Sequence, residues 1–461
     1  MRDQTYPGGQ TMQRSRTAQG VMDRNASRGS LLTVGFGTSV VMWAAAYIGL
    51  APWWGDSTAE IWVLVVVLGL LMAVAGLALA RLTGGGPAAG AKLGLVLTGI
   101  NFIIVASLNS RDTTREALLN GLLWIAGFAV AAVVLCSAGA LLAGGRGAAR
   151  GIESRRVAWT SWFALIVAVT TLPLLVSGGV VTGLEAGMAV PDWLTTFDYP
   201  MMFYPMVKMQ ADTHIYAEHF HRLWGLLVGL SVIALAVQVH RADSRRSVRF
   251  LSLVVLGMVI VQGVLGGTRV TENNLALAIV HGVFGQAVFA MIACVAAMCS
   301  EAWKDAAAAT GGDALEHAAS DARLVTGLAA MLVAQLVLGA LYRHLNASPA
   351  VPTGLGHGLL GLHVLLACVI AVVVVMAGLR MMGLRERSPV LPRLGISLKA
   401  VLGVQFLLGV GAMLAVLTRG GEGDIPAVEV MVTTAHQTIG AVFLALAVAG
   451  AMWMWRAATI T

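Results

Sequence analysis

The chain has 461 residues, 58% of them hydrophobic and 11% charged, with a formal net charge of +7. A mean hydropathy of +0.81 excludes an ordinary soluble globular protein. The positive balance fits a membrane protein that keeps its arginines on the cytoplasmic side, and no nucleic-acid partner is expected.

Residues 1–30 are polar and contain Arg2, Arg14, Arg16, Arg24 and Arg28. They read as a cytoplasmic basic tail and not as a cleavable leader. Twelve apolar runs follow, at roughly 31–50, 61–82, 92–108, 118–142, 157–181, 219–239, 249–268, 279–299, 322–341, 356–379, 396–417 and 434–454, each long enough to cross a bilayer as a helix. The weak alternation of a membrane β-barrel is missing. The expected fold is an all-α polytopic membrane protein of about 12 transmembrane helices lying in the lipid bilayer.

The first four spans, within 31–145, contain none of the ten histidines, all of which come after position 213. They read as an appended four-helix membrane domain of unknown role. If the spans alternate, the tail, Arg146 to Arg156, Arg241 to Arg249 and Arg380 to Arg393 share one side, which is cytoplasmic by the positive-inside rule. Both termini are then cytoplasmic. Loops 51–60, 182–218, 269–278, 342–355 and 418–433 face outward. The loop at 109–117, with Arg111, Asp112, Arg115 and Glu116, carries mixed charge.

Four later spans begin alike: His221-Arg-Leu-Trp-Gly225, His281-Gly-Val-Phe-Gly285, His357-Gly-Leu-Leu-Gly361 and His436-Gln-Thr-Ile-Gly440. All four imidazoles enter from the outer face, at similar depth. Each span is preceded by an outgoing helix expected to end in glycine: Leu175-Val-Ser-Gly-Gly179, Val261-Gln-Gly-Val-Leu-Gly-Gly267, Ala334-Gln-Leu-Val-Leu-Gly339 and Val404-Gln-Phe-Leu-Leu-Gly-Val410. This hairpin repeat predicts two homologous four-helix bundles, at 157–300 and 322–455, of the kind that hold cofactors between facing helices.

An ionisable residue within a span is costly and calls for a partner or a function. Four in register read as two bis-histidine sites, His221 with His281 and His357 with His436. Heme iron suits them better than zinc, because no carboxylate or thiolate completes a tetrahedral site. Cys136, Cys294, Cys299 and Cys368 lie inside apolar runs and read as packing residues. Among the other histidines, His240 and His317 fall in cytoplasmic loops, and His214 and His344 in outer loops. His219 points to a different helix face from His221. His363 is the alternative ligand to His357; it lies six residues deeper and lacks the glycine at the fourth position.

Glu218 precedes His221 by three residues and shares its helix face. It is either a solvated interfacial carboxylate or a group held beside the heme as a base or charge stabiliser. The second half has no such glutamate. Arg222 and Arg269 lie at the same outer face and are candidate propionate partners, or snorkelling side chains.

At these residues the sequence resembles the heme A synthase family, over about 157–455. The carriers are Ser177-Gly-Gly-Val-Val-Thr-Gly183, Gly187-Met-Ala-Val-Pro-Asp-Trp193, Met202-Phe-Tyr-Pro205, Glu218-x-x-His-Arg222 and Gly266-Gly-Thr-Arg-Val-Thr-Glu-Asn273 followed by His281. The second half matches mainly through His357, His436 and the repeat. The resemblance implies a cell-membrane oxidoreductase that converts a methyl group of heme O to a formyl group through an alcohol. It implies heme O between His221 and His281, a heme b cofactor on His357 and His436 relaying electrons, and Glu218 as the critical carboxylate. The implied partners are a heme O synthase (protoheme farnesyltransferase), cytochrome c oxidase assembly and an unidentified electron acceptor. The outer-loop cysteine pair found in part of the family is absent, and Leu194, Asp198 and Pro200 stand where related loops differ.

An iron with both axial positions filled by histidine cannot bind oxygen without losing a ligand. The expected chemistry is therefore electron removal, with water attacking the oxidised methyl group. The rival functions are a di-heme b-type membrane electron-transfer protein and a twelve-span transporter. Two sites at one depth disfavour the first, and the lack of midplane charges disfavours the second.

Overall fold

A computed structural model describes residues 8–52, 58–108, 113–144, 157–306, 318–346, 353–385, 388–419 and 425–459. His317, Arg111, Asp112 and the basic loop from Arg146 to Arg156 lie outside the described residues. Among those described, twelve helices are long and apolar enough to cross a membrane, each overlying an expected span, with those at Thr213, Val390 and Ala427 beginning about two turns earlier than expected. The chain is an all-α polytopic membrane protein.

The N-terminal region comprises α1 (Gly8–Gly49), α2 (Thr58–Thr83), α3 (Pro87–Val105) and α4 (Thr114–Leu141). Pro87 opens α3, where its missing N–H costs nothing. Thr113 caps α4 by accepting from the Glu116 N–H at 3.3 Å. Helices α2, α3 and α4 pack closely: a Cβ on Gly76 or Gly139 would collide with backbone carbonyls of the neighbouring helix.

The first histidine half has α5 (Trp159–Gly183), α7 (Thr213–Ala242), α8 (Arg246–Thr271) and α9 (Leu275–Cys299). Between α5 and α7 lies a structured loop with a two-stranded hairpin, β1 (Thr195–Thr196) and β2 (Tyr199–Pro200), and the short α6 (Met206–Gln210). After the short α10 (Glu301–Ala306), the second half has α11 (Ala318–Asn346), α12 (Thr353–Gly383), α13 (Val390–Leu417) and α14 (Ala427–Thr459). Both halves have the same neighbours in the same order: first helix beside second, second beside third, third beside fourth, and fourth back against first. The halves meet through α5 and α9 on one side and α11 and α14 on the other.

The repeat glycines do not terminate their helices. Gly266 lies inside α8, Gly339 inside α11 and Gly409 inside α13. In the first half both outgoing helices instead end with a left-handed residue, Glu185 (φ 57°) after α5 and Asn273 (φ 46°) after α8. After α5 the Ala186 N–H bonds to the Val181 carbonyl and the Glu185 N–H to that of Thr182; after α8 Asn274 and Asn273 do the same to Arg269 and Val270. This paired closure satisfies the open carbonyls without glycine.

The N-terminal helices are also less separate than the sequence suggests. One continuous apolar cluster runs from Phe36 and Trp43 of α1 and Ile100 of α3 into Phe163 of α5, Trp224 of α7 and Ile292 of α9. A second cluster fills the other half and takes in Leu175 and Phe289 from the first.

Candidate functional site

The structure brings four imidazoles together as two pairs. The His221 and His281 rings lie edge-on with centroids 6.4 Å apart and planes at 83°, and the His363 and His436 rings are also 6.4 Å apart, with planes at 65°. Two metal–nitrogen bonds of about 2 Å, plus the half-widths of two imidazoles, come to about 6 Å. Each pair therefore fits opposite sides of a single metal ion. Among the described residues no group of three or more His, Cys, Asp or Glu converges on one point. A metal held by such a pair would take its remaining ligands from a non-protein group, as iron does in heme.

The ring opposite His436 is His363, not the His357 expected from the sequence. Depth explains the difference. His221, His281 and His436 lie eight, six and nine residues beyond the starts of their helices, and His363 lies ten beyond the start of α12, whereas His357 is only four in. His357 is exposed, and the four paired histidines are half-buried.

Each paired imidazole looks onto a glycine of the preceding helix. A Cβ added at Gly178, Gly266, Gly339 or Gly409 would come within 3.0, 2.8, 3.0 or 3.1 Å of Cε1 of His221, His281, His363 or His436. The glycine four residues after the histidine, which suggested His357, does something else. Gly285 and Gly440 make room for the side-chain amides of Gln262 and Gln405, and after His363 the equivalent residue is Ala367.

The glutamines sit one turn before the histidine-facing glycines and hold the imidazole helices. The Gln262 amide donates to the His281 carbonyl at 2.9 Å, and Gln335 donates to the His363 carbonyl at 2.9 Å. In the first helix the fixing group is Ser177, whose hydroxyl lies 3.1 Å from His221 Nδ1. His363 Nδ1 lies 3.1 Å from the Gln335 carbonyl. Both contacts occupy Nδ1 and leave Nε2 for a metal. The Gln-x-x-x-Gly spacing recurs at 262, 335 and 405 in the sequence, and the partner of Gln335 is His363.

Around the first pair the loop between α5 and α7 is pinned down. Glu218 is 3% exposed; its Oε1 accepts from Arg222 at 2.6 Å and its Oε2 from the Val190 N–H at 2.9 Å. The Arg222 terminal nitrogens also donate to the carbonyls of Val190 and Asp192, at 2.7 and 2.6 Å. Arg222 is thus committed to Glu218 and the loop, and the propionate pairing expected of it has no free donor on those nitrogens. Arg269 donates to the Gly187 carbonyl at 3.0 Å. Trp193 lies over Gly267, where any side chain would strike the indole.

The hairpin turns through Phe197 and Asp198, both at positive φ, a geometry that usually selects Asn or Gly. Asp192 compensates by accepting from the N–H groups of Phe197 and Asp198 at 3.0 and 3.2 Å. Burial alone would raise the Asp192 carboxyl; the Thr195 hydroxyl and these two N–H groups outweigh it and hold it below its usual range. His219, fully buried, places Nδ1 3.1 Å from the Thr196 hydroxyl and packs on Tyr204. His214 is exposed in the first turn of α7, beside its cap Asp212. His240 and His344 belong to the last turns of α7 and α11 and not to loops.

The second half does contain a buried carboxylate. Glu429 on α14, two turns before His436, is 2% exposed. Its Oε1 lies 3.7 Å from Arg419, and its Oε2 finds no hydrogen-bond partner among the described residues. Sequence reading missed it by looking only three residues ahead of each histidine. The four cysteines are free, three of them buried.

No individual characterised protein matches the chain in a direct comparison. A family profile described as cytochrome oxidase assembly protein matches residues 161–448, with a further match over 104–293. The longer match covers more than half of the chain and spans both histidine pairs. The chain therefore belongs to the COX15-CtaA family of cytochrome oxidase assembly proteins, the family to which the heme A synthase resemblance pointed.

Proposed function

We propose that the protein is a heme A synthase of the cell membrane, with both termini cytoplasmic and its two histidine pairs near the outer face. The reading rests on one observation above all: two half-buried histidine pairs of equal 6.4 Å separation, only the first of which has a hydrogen-bonded Glu–Arg pair on its own helix. His221 and His281 hold the substrate, heme O. His363 and His436 take the place first given to His357 and His436, and a heme b bound there supplies an electron relay. Arg269 is the better-placed propionate partner.

The reaction balances with water as the oxygen source. The methyl group and one water give the alcohol, releasing two electrons and two protons; the alcohol gives the formyl group with loss of two more of each, and the four electrons would leave singly through the second site to an external one-electron acceptor. Glu218 carries the proton work at the first site. Each of its oxygens accepts one hydrogen bond and keeps a lone pair, so the carboxylate can orient a water and take its proton. Its negative charge also favours a positively charged carbon during the oxidation. Arg222 and the Val190 N–H fix its position, and the loop above excludes bulk water.

Heme extraction with mass analysis of the purified protein tests the reading. Hemes O and A alongside B are expected; heme B alone would assign electron transfer instead, and no heme would remove both. Labelled water decides the oxygen source. A formyl oxygen drawn from molecular oxygen would overturn the water route.

A further inference from the structure

The two histidine helices have unequal surroundings. Over its most apolar stretch 56% of the residues of α7 are buried, against 11% in its counterpart α12. Helices α1 and α3 and the short α6 all lie against α7, α12 has no equivalent of them, and α1 alone of the three also runs along α5.

The contact is aromatic and specific. Trp43, fully buried, meets Trp224 edge-on with centroids 5.3 Å apart. Tyr47 stacks on Tyr216 at 5.6 Å and meets the Phe220 edge at 5.0 Å. The Tyr216 hydroxyl donates to the Tyr47 carbonyl at 2.5 Å. Tyr216, Phe220 and Trp224 are spaced by four and form one stripe of α7; Glu218 and Arg222 lie nearly opposite, at 100° per residue. Trp43 is itself fixed, since its Nε1 donates to Asn101 of α3 at 3.0 Å and the Asn101 amide donates to Ser39 at 2.9 Å. Further along, Phe36 packs on Phe163 of α5, the helix that presents Ser177 to His221.

We infer that α1 is a brace that keeps the first histidine site formed when it is empty, with Trp43 and Tyr47 as its positioning residues. A site that releases its product passes through an empty state in which nothing bridges its two imidazoles. The aromatic stripe then fixes the rotation of α7 about its axis, and so where Glu218 and His221 point. A retained group bridges its helices permanently, and α12 carries no such backing. The contrast between exchanged and retained groups rests on the proposed function; the bracing itself does not.

The test uses the full-length protein purified in detergent without heme. Hydrogen–deuterium exchange is followed in α7, with α11 to α14 as internal reference, for wild type, Trp43→Ala and Trp43→Phe. Trp43→Ala should raise exchange in α7 at least tenfold while the second half is unchanged, and Trp43→Phe should restore most of the protection. In a His363→Ala background, which confines added hemin to the first site, Trp43→Ala should weaken hemin binding about tenfold. Equal α7 exchange in wild type and Trp43→Ala overturns the brace, as does an equal rise throughout the chain, which would make α1 general packing. Failure of wild type to bind hemin at all would sink the proposed function while leaving the exchange result to judge the brace.

Discussion

Gly339 of α11 faces the imidazole of His363 so closely that a Cβ would stand 3.0 Å from its Cε1. Nothing smaller than glycine exists, so the contact fixes both how near α11 approaches and where the ring lies. Gly339→Val should therefore expel the second-site group. We expect heme at that site to fall about tenfold, ~1.4 kcal/mol, with the first-site spectrum unchanged. Retained second-site absorption would show that the glycine is not a cradle.

His357→Ala and His363→Ala separate the two histidines of α12. His363→Ala should abolish the second low-spin heme signal, leaving an iron with one imidazole. His357→Ala should leave both signals intact, because that ring is exposed near the helix start. Electron paramagnetic resonance of the two purified variants reads the difference directly, and the reverse result would restore His357.

The two buried carboxylates should behave differently. Glu218→Gln keeps the shape but removes the charge opposite Arg222, leaving a buried guanidinium short of its counter-ion, a loss of about 3 kcal/mol or more. Heme O should stay bound and heme A formation should fall at least a hundredfold, as measured by extraction and mass analysis. Glu429→Gln should leave product formation within about twofold, since no hydrogen-bonded arginine on its own helix ties it to a histidine site. Equal losses would make the second half a participant in proton handling.

The β1–β2 hairpin predicts an acid dependence. Asp192 has its folded carboxyl held below the usual value, so its stabilising contribution is full above about pH 3.9, the ordinary value, and is lost as pH falls through the lower folded one. Wild type should melt measurably higher than Asp192→Asn at pH 7, by a modest margin because solvent screens this carboxylate. The gap should narrow as the pH falls below about 3.9 and close once the folded carboxyl is also protonated. A gap that persists in acid would assign the effect to something other than the carboxylate.

The twelve spans, the bundles' order and three of the four paired histidines could be read from the chain, because long apolar runs and repeated spacing are local properties. His363 could not be chosen by the same means. The glycine after each histidine serves a glutamine in two helices and nothing within reach in α12, so His357-Gly-Leu-Leu-Gly361 resembles the others by coincidence. The informative pattern was Gln-x-x-x-Gly on the preceding helix, whose meaning appears only once two helices are side by side. Glu429 was hidden for a related reason: its burial comes from packing between helices, not from its distance to His436. The role of α1 was hidden too, since nothing in Trp43 or Tyr47 alone points to Trp224 or Tyr216 so far along the chain.

Arg343 of α11, in the second half, donates to the Thr182 carbonyl at 2.8 Å in the last turn of α5, in the first half, and lies 3.6 Å from Glu185. One half thus closes a helix of the other with a positive charge placed where that helix end is negative. The two halves are consequently not interchangeable parts. A hybrid joining this first half to a relative's second half should dock less firmly, by about 0.3–1 kcal/mol, where the incoming half lacks an arginine at the same place.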